Sequence, residues 1–334
     1  MPGKVHIPTV ITSTYRPPFW LPGPHLQTLY PALLGPAPHV PFNRERWELG
    51  DGDFLDVDWI DAKKPDAPLL VLFHGLEGGS RSPYALAIMA KFQQLGWQGA
   101  VVHFRGCGGE ANRLSRAYHA GDTEEIALIV KRVNHIHPSK KIYLAGISLG
   151  GNALLKWLGE RAQDAQGLVS AAVAISAPLD LTAAGNVLDS GFNKAVYTRN
   201  FLFTLKRKAL AKLDNFPHLF DRTAVARSAT LREFDSLVTA PLHGFRDADD
   251  YWVRASSKPV LDNITVPTLL INARNDPFLP ANTLPTPEEV STAVSLEYPS
   301  EGGHAGFLTG PFPGRLTWLP TRMAEFFNVG HISS

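Results

Sequence analysis

A single cysteine, Cys107, is all the chain holds in 334 residues. One cysteine excludes an intrachain disulfide framework and fits a reducing compartment, so a cytoplasmic setting is expected. Long hydrophobic runs are missing too. The longest apolar-rich stretch, residues 168–179, is interrupted by Ser170 and Ser176. It falls short of the roughly 20 residues a membrane-spanning helix needs, so no transmembrane segment is expected. Residues 1–15 lack the basic start and unbroken apolar stretch of a secretory signal. Excess charge of either sign is also absent, with 32 Lys and Arg against 31 Asp and Glu. That balance argues against a nucleic-acid partner, since binding through a global field needs a clear basic excess. No internal repeat or low-complexity tract appears. What is present is a 44% hydrophobic chain about twice the length of a common domain. It allows two domains or one domain carrying an insertion.

Strand signals settle the choice. Four short apolar runs, at residues 69–73, 99–104, 142–147 and 169–175, are each closed by glycine, proline or polar residues. Runs of this kind read as strands buried on both faces. Helical segments alternate with them. Residues 83–95 carry proline at the start and Gly96 past the end, and residues 122–137 open on acidic and close on basic residues. A third segment covers 149–161. Such alternation implies crossover connections and a mostly parallel twisted sheet with helices on both faces. Residues 47–60 read as an antiparallel hairpin at the sheet edge, around Gly50-Asp51-Gly52-Asp53. Residues 1–43 are proline-rich and show little periodicity. After Pro178 the strands stop and helical patterns take over until the alternation resumes at 266–273, 295–298 and a last helix near 316–327. The expected organisation is therefore one α/β core, residues 1–178 and 258–334, with a helical lid insertion at 179–257.

The decisive motif is Gly146-Ile147-Ser148-Leu149-Gly150, between a strand and a helix. This is the context of a nucleophile elbow, in which a sharp strand-to-helix turn lifts a serine hydroxyl clear of the sheet. Glycines flank it because a side chain there would strike the neighbouring strand or helix. A hydroxyl needs a base, and the base needs a carboxylate to orient it, in the order Ser, acid, His. Asp276 follows the strand signal at 266–273, and His304 lies in the glycine-rich loop Gly302-Gly303-His304-Ala305-Gly306. Both fall at the strand ends where open α/β sheets place their sites. Asp180 is the runner-up acid. His135 and His137 sit at a helix end, where dipole pairing is the commoner role. An oxyanion would need two donors. The amide of Leu149 supplies one, and the loop His74-Gly75-Leu76-Glu77-Gly78-Gly79 offers the second at Leu76, with the Glu77 side chain turned away.

With these residues in view, the chain resembles the α/β-hydrolase superfamily. Finer motifs are similar to the AB hydrolase 4 family, which holds bacterial YheT-type esterases and eukaryotic lipid esterases and acyltransferases. They are Pro24-His25-Leu26-Gln27-Thr28, His74-Gly75-Leu76-Glu77-Gly78, Phe104-Arg105-Gly106-Cys107-Gly108-Gly109, Tyr118-His119-Ala120-Gly121-Asp122-Thr123 and Asp276-Pro277-Phe278. The resemblance implies a carboxylic-ester hydrolase with Ser148, Asp276 and His304 as charge-relay residues. Glu125, where many relatives carry aspartate, departs from the pattern outside the triad.

Other chemistries fit less well. Residues 106–111 match a relaxed dinucleotide fingerprint but open no helix, Cys107 sits on no elbow, and no His and Cys spacing suits zinc. The expectation is a cofactor-free serine esterase acting on short- to medium-chain acyl esters of small molecules. The alternatives are an alcohol O-acyltransferase using the same triad and a non-catalytic binding homologue. Phe192, Phe201, Phe203 and Phe216 are candidates for an acyl pocket. Residues 201–208, which mix phenylalanine with Lys206, Arg207 and Lys208, admit a transient contact with a membrane surface.

Overall fold

A computed structural model describes residues 10–329. The reading of the amino terminus as free of a secretory signal rests partly on residues 1–9, which lie outside the described residues. Among the described residues, nine strands form one sheet in the order β1-β9-β8-β7-β6-β4-β5-β3-β2. Its parallel body is β4 (Leu69–Phe73), β5 (Gln98–His103), β6 (Ile142–Ile147), β7 (Ala171–Ile175), β8 (Thr268–Ile271) and β9 (Val294–Glu297), with the short β1 (Val10–Ile11) beside β9. The hairpin β2 (Asn43–Glu48) and β3 (Phe54–Ile60) closes the other edge, antiparallel to β5. It begins a few residues earlier than its alternation suggests.

The continuous apolar strands follow from two buried faces. In β4, Leu69, Val71 and Phe73 point into one core and Leu70 and Leu72 into the other. β6 divides in the same way, with Ile142 and Leu144 on one side and Tyr143, Ala145 and Ile147 on the other. The first core is roofed by α3 (Thr123–Ile136) and α4 (Leu149–Gln166), the second by α2 (Pro83–Gln94) and α12 (Trp318–Val329). Local signals set the helix ends. Pro83 occupies the first turn of α2 and left-handed Gly96 follows it, while the Asp122 carboxylate caps α3 by accepting the Glu125 N–H.

Between β7 and β8 the chain is helical. α5 (Leu181–Leu188) leads to α6 (Gly191–Asn193), which passes through a π-helical turn (Lys194–Thr198) into α7 (Arg199–Lys212). α8 (Arg222–Arg227), α9 (Leu231–Phe234), α10 (Ala240–His243) and α11 (Ala248–Ala255) follow, a second π turn joining α9 to α10. Among its described residues, the proline-rich amino-terminal segment holds one further helix, α1 (Pro24–Leu33), which its periodicity does not announce. Its ends were marked nonetheless, by Pro24 in the first turn and Gly35 just beyond the last.

Candidate active site

All the parallel strands point their carboxyl ends at one edge, and the expected residues emerge there. Ser148 leaves β6 with φ 52° and ψ −120°, a left-handed position that an L-residue occupies only under strain. Its amide is fixed by the Ile175 carbonyl at 2.8 Å, and α4 starts on the next residue. Gly150 makes the turn sterically feasible, because a Cβ there would lie 2.5 Å from both the Phe73 and the His74 carbonyl oxygens.

Three side chains form one hydrogen-bonded chain. The Ser148 hydroxyl and His304 Nε2 are 2.8 Å apart, and His304 Nδ1 lies 2.8 Å from Asp276 Oδ2. A carboxylate only accepts, so His304 carries its proton on Nδ1 and leaves Nε2 free to accept from the serine. Asp276 is buried, and its second oxygen accepts the Phe278 N–H at 2.9 Å. The Phe278 ring lies over the imidazole with centroids 4.1 Å apart. Asp180 is elsewhere, accepting the Ala183 N–H as the cap of α5. His137 caps α3 and His135 lies in that helix's last turn.

The loop after β4 is held from several sides. The Gly75 carbonyl oxygen lies 2.7 Å from His74 Nδ1 and accepts the Gly78 N–H at 2.9 Å. Nε2 of the same imidazole accepts the Phe104 N–H at 3.1 Å, so Nδ1 is the donor. Burial holds His74 down to about 3, which keeps it neutral. With the oxygen of the Gly75–Leu76 peptide pinned and the peptide planar, the Leu76 N–H must point the opposite way. Neither it nor the Leu149 N–H meets a protein acceptor among the described residues. Glu77 sits at φ 56°, and its carboxylate is paired with Lys208 Nζ of α7 and accepts a hydrogen bond from the Tyr118 hydroxyl, each at 2.8 Å.

The histidine loop depends on residues that the sequence reading left without a role. Thr28 Oγ1 accepts the His304 N–H at 2.9 Å. Gln27 Oε1 accepts the Gly302 N–H at 3.0 Å and the Asn275 amide at 2.9 Å, while Asn275 Oδ1 accepts the Gly303 N–H at 3.0 Å. Ser176, at the end of β7, accepts the Ala305 N–H at 3.0 Å. Gly306 admits α1 this closely, since a Cβ there would fall 2.0 Å from the Gln27 carbonyl oxygen. The signal for this role was the Pro24–Thr28 motif itself, although nothing local links it to a loop nearly 280 residues away. Removing one such hydrogen bond costs about 1 kcal/mol. Thr28→Val is therefore expected to lower kcat about fivefold to tenfold with KM unchanged, and Thr28→Ser to restore it, as steady-state kinetics would reveal.

Two cavities meet at Ser148 and His304. The larger, about 390 Å³, runs beneath the 181–252 helices and is lined by Leu149, Leu181, Leu205, Phe234, Val238 and Trp252 among others. The smaller, about 300 Å³, lies between α1 and the loop after β4. Of the four expected pocket phenylalanines, Phe201 lines both cavities and Phe216 the larger one. Phe192 and Phe203 line neither and are 52% and 68% exposed. In the basic cluster, Lys206 donates to the Ala226 carbonyl and Lys208 to Glu77, as nearby Lys212 does to Asn112 Oδ1, while the Arg207 guanidinium lies 6.0 Å from the centroid of the Phe203 ring. Cys107 is pushed up to about 11 by burial, so its thiol stays protonated at neutral pH. Glu125 is buried against Arg105, whose Nε donates to it at 2.6 Å. Among the described residues, no group of three or more His, Cys, Asp or Glu is arranged to hold a metal ion, and no helix is long and apolar enough to cross a membrane.

Near the larger cavity, the rings of His119 and His243 lie 4.3 Å apart at a tilt of 53°, and His243 Nε2 is buried without a partner. Burial, then the neighbouring His119, pushes His243 down to about 3, well below the roughly 6.5 of an unfolded histidine. The native state thus binds fewer protons than the unfolded one. Its stability is fully present above about pH 6.5 and is lost as the pH falls from there toward 3. Thermal melts between pH 7 and 4 should show this decline. His243→Gln should flatten it by up to about 1.4 kcal/mol per pH unit, the value of one linked proton.

An elbow serine, a histidine loop and an acid loop on a mostly parallel sheet are the frame of a hydrolase, and the chain belongs to the alpha/beta hydrolase fold family, whose model matches residues 68–311. Among individual proteins, it is 39% identical over 312 residues to the YheT protein of Escherichia coli (strain K12), covering 91% of this chain and 90% of that one. It is 30% identical over 333 residues to the phospholipase ABHD3 of Mus musculus, covering 96% of this chain and 79% of that one. In solved structures the fold recurs in Est1E from Butyrivibrio proteoclasticus with bound ferulic acid. There the TM-score is 0.58 at 15% identity, over 88% of this chain and all of the other. Fold and relatives together support a hydrolase-type enzymatic function.

Proposed function

We propose that the protein is a serine carboxylic-ester hydrolase that works through an acyl-enzyme, on short- to medium-chain acyl esters. The observation that carries this reading is the unbroken chain from Asp276 through His304 to Ser148, opening into cavities large enough for a substrate. Ser148 Oγ attacks the ester carbonyl while His304 Nε2 takes its proton, and Asp276 offsets the imidazolium charge. The Leu76 and Leu149 amides receive the oxyanion, an arrangement commonly worth roughly 3 kcal/mol per donor. His304 then protonates the departing alcohol, and a water repeats the cycle on the acyl-enzyme. Residues 179–257 act in this reading as a lid, tied to the loop after β4 by the Lys208–Glu77 pair. A cytoplasmic location is the setting we infer from the lone cysteine.

Rapid mixing with p-nitrophenyl butyrate tests the covalent route. The expected result is a burst of about one p-nitrophenol per chain before steady turnover, when deacylation is the slower step. Absence of any turnover would contradict the reading. Adding ethanol separates hydrolysis from acyl transfer: a hydrolase yields butyrate, and predominant ethyl butyrate would favour the acyltransferase.

A further inference from the structure

In the loop between β4 and α2, a glutamate stands where the backbone favours glycine. The Gly78 N–H closes a turn on the Gly75 carbonyl at 2.9 Å, and Glu77, the third residue of that turn, has φ 56°. Left-handed backbone at this place in a turn is ordinarily given to glycine. A strained residue persists where its surroundings over-determine it, and Glu77 is held at both ends. The Tyr118 hydroxyl accepts the Glu77 N–H at 2.9 Å and donates to Glu77 Oε1 at 2.8 Å. One hydroxyl has one proton and two lone pairs, so the two bonds are compatible. Lys208 Nζ reaches the same Oε1 at 2.8 Å, and its other contact is the Cys107 thiol at 3.4 Å. The Glu77 side chain is 9% exposed and that of Lys208 35%.

The two clamping residues come from different parts of the chain. Tyr118 belongs to the core, its ring 5.4 Å from that of Phe104 and within 4° of parallel. Lys208 belongs to α7, in the helical segment over the site. Between them they hold a turn in which nearly every amide is taken. The Gly75 N–H goes to the Tyr84 hydroxyl, that of Gly78 to the Gly75 carbonyl and that of Gly79 to Ser82 Oγ. Among the described residues, Leu76 is the one member of 75–79 whose N–H meets no protein acceptor, and it is the proposed oxyanion donor.

Resting on the esterase reading above, we infer that Tyr118 and Lys208 are positioning residues for the oxyanion: acting through Glu77, they hold the turn that aims the Leu76 amide, so that seating α7 against the core completes the site. Without the Tyr118 hydroxyl, Glu77 relaxes toward the negative φ that L-residues prefer. The turn then opens, the Gly75 carbonyl swings, and the planar Gly75–Leu76 peptide carries the Leu76 N–H with it. The developing oxyanion loses part of one donor, whereas the substrate's ground state loses nothing. Lys208 has a second effect of the same sign. Unpaired, the Glu77 carboxylate would set a negative charge beside the residue that receives another.

Kinetics on p-nitrophenyl butyrate and inhibition by an alkyl trifluoromethyl ketone test this together. Ser148 Oγ adds to the ketone carbon, its proton passes to His304, and the resulting oxyanion faces the same two amides. Tyr118→Phe keeps the ring beside Phe104 and removes only the hydroxyl. It should lower kcat about tenfold to hundredfold, short of the loss of a whole donor, leave KM within about twofold, and raise the ketone's inhibition constant as far as kcat falls. KM and the inhibition constant do not depend on the concentration of active enzyme, so partial misfolding leaves both readable. Lys208→Met should cost about tenfold in kcat and in ketone binding, and Lys208→Arg should restore most of it. Lys206→Met, at the neighbouring lysine that bonds the Ala226 carbonyl, should change neither. In a Glu77→Gln background Lys208→Met should add less than about twofold, since Lys208 acts through that carboxylate. Ketone binding unchanged in Tyr118→Phe or Lys208→Met, losses confined to KM, or additive costs of Glu77→Gln and Lys208→Met would overturn the inference and leave the esterase reading intact. Wild-type protein that neither hydrolyses the ester nor binds the ketone would overturn both.

Discussion

Replacing Ser148 with alanine is expected to lower kcat for p-nitrophenyl ester hydrolysis by roughly a millionfold, and adding His304→Ala should cost little more. Members of such a chain act as a unit, so removing either one forfeits nearly the whole effect. On the proposed mechanism the attacking atom is Ser148 Oγ, and its base is the nitrogen 2.8 Å away. Alanine keeps the Cβ, so the elbow, the Ile175 hydrogen bond and the strained backbone of residue 148 all persist. The unfolding temperature should therefore match wild type, which separates lost chemistry from lost structure. Residual turnover above the uncatalysed rate, from the Leu76 and Leu149 amides, is part of the expected result. Additive losses from the two substitutions would indicate that serine and histidine do not share one step.

Asp276→Asn should lower kcat by about ten thousandfold with little change in KM. Asp276 accepts two N–H groups, that of Phe278 on one oxygen and His304 Nδ1–H on the other. Asparagine has one oxygen to offer. If that oxygen stays with the Phe278 amide, the NH₂ group faces Nδ1 and drives the imidazole proton to Nε2. Nε2 then becomes a donor and cannot take the proton of Ser148. Substrate still binds in both cavities, neither of which is reshaped, so the loss falls on the chemical step. Kinetics of the variant at neutral pH check this, and activity within tenfold of wild type would show that Asp276 does not set the tautomer.

Much of this frame is legible in the chain because local rules and tertiary demands agree along it. β4 and β6 read as unbroken apolar runs for the reason that the structure displays, with alternate residues entering the cores above and below the sheet. The elbow is equally readable, since a serine between glycines at a strand-to-helix turn has few other uses. The helical segment after β7 was harder. The π turn at Lys194–Thr198 holds an extra residue per turn, so a face extrapolated at 3.6 residues per turn drifts across it. Residue type alone offers the phenylalanines as pocket candidates. Phe201 and Phe203 both follow that turn, two residues apart on α7 and so on opposite sides of it, and Phe201 reaches the cavities while Phe203, like Phe192, is exposed. α1 was not visible for a different reason. Gln27 and Thr28 earn their place through contacts with Gly302 and His304, and no window on the sequence contains both partners.

Labelling with a fluorophosphonate, followed by intact-mass and peptide mass spectrometry, tests the central claim most directly, because the probe bonds only to an activated serine. The account predicts one adduct per chain, on the peptide carrying Ser148, and none on Ser148→Ala or on His304→Ala at the same exposure. A protein that hydrolyses esters yet takes no label at Ser148, or a Ser148→Ala variant labelled as fully as wild type, would contradict it.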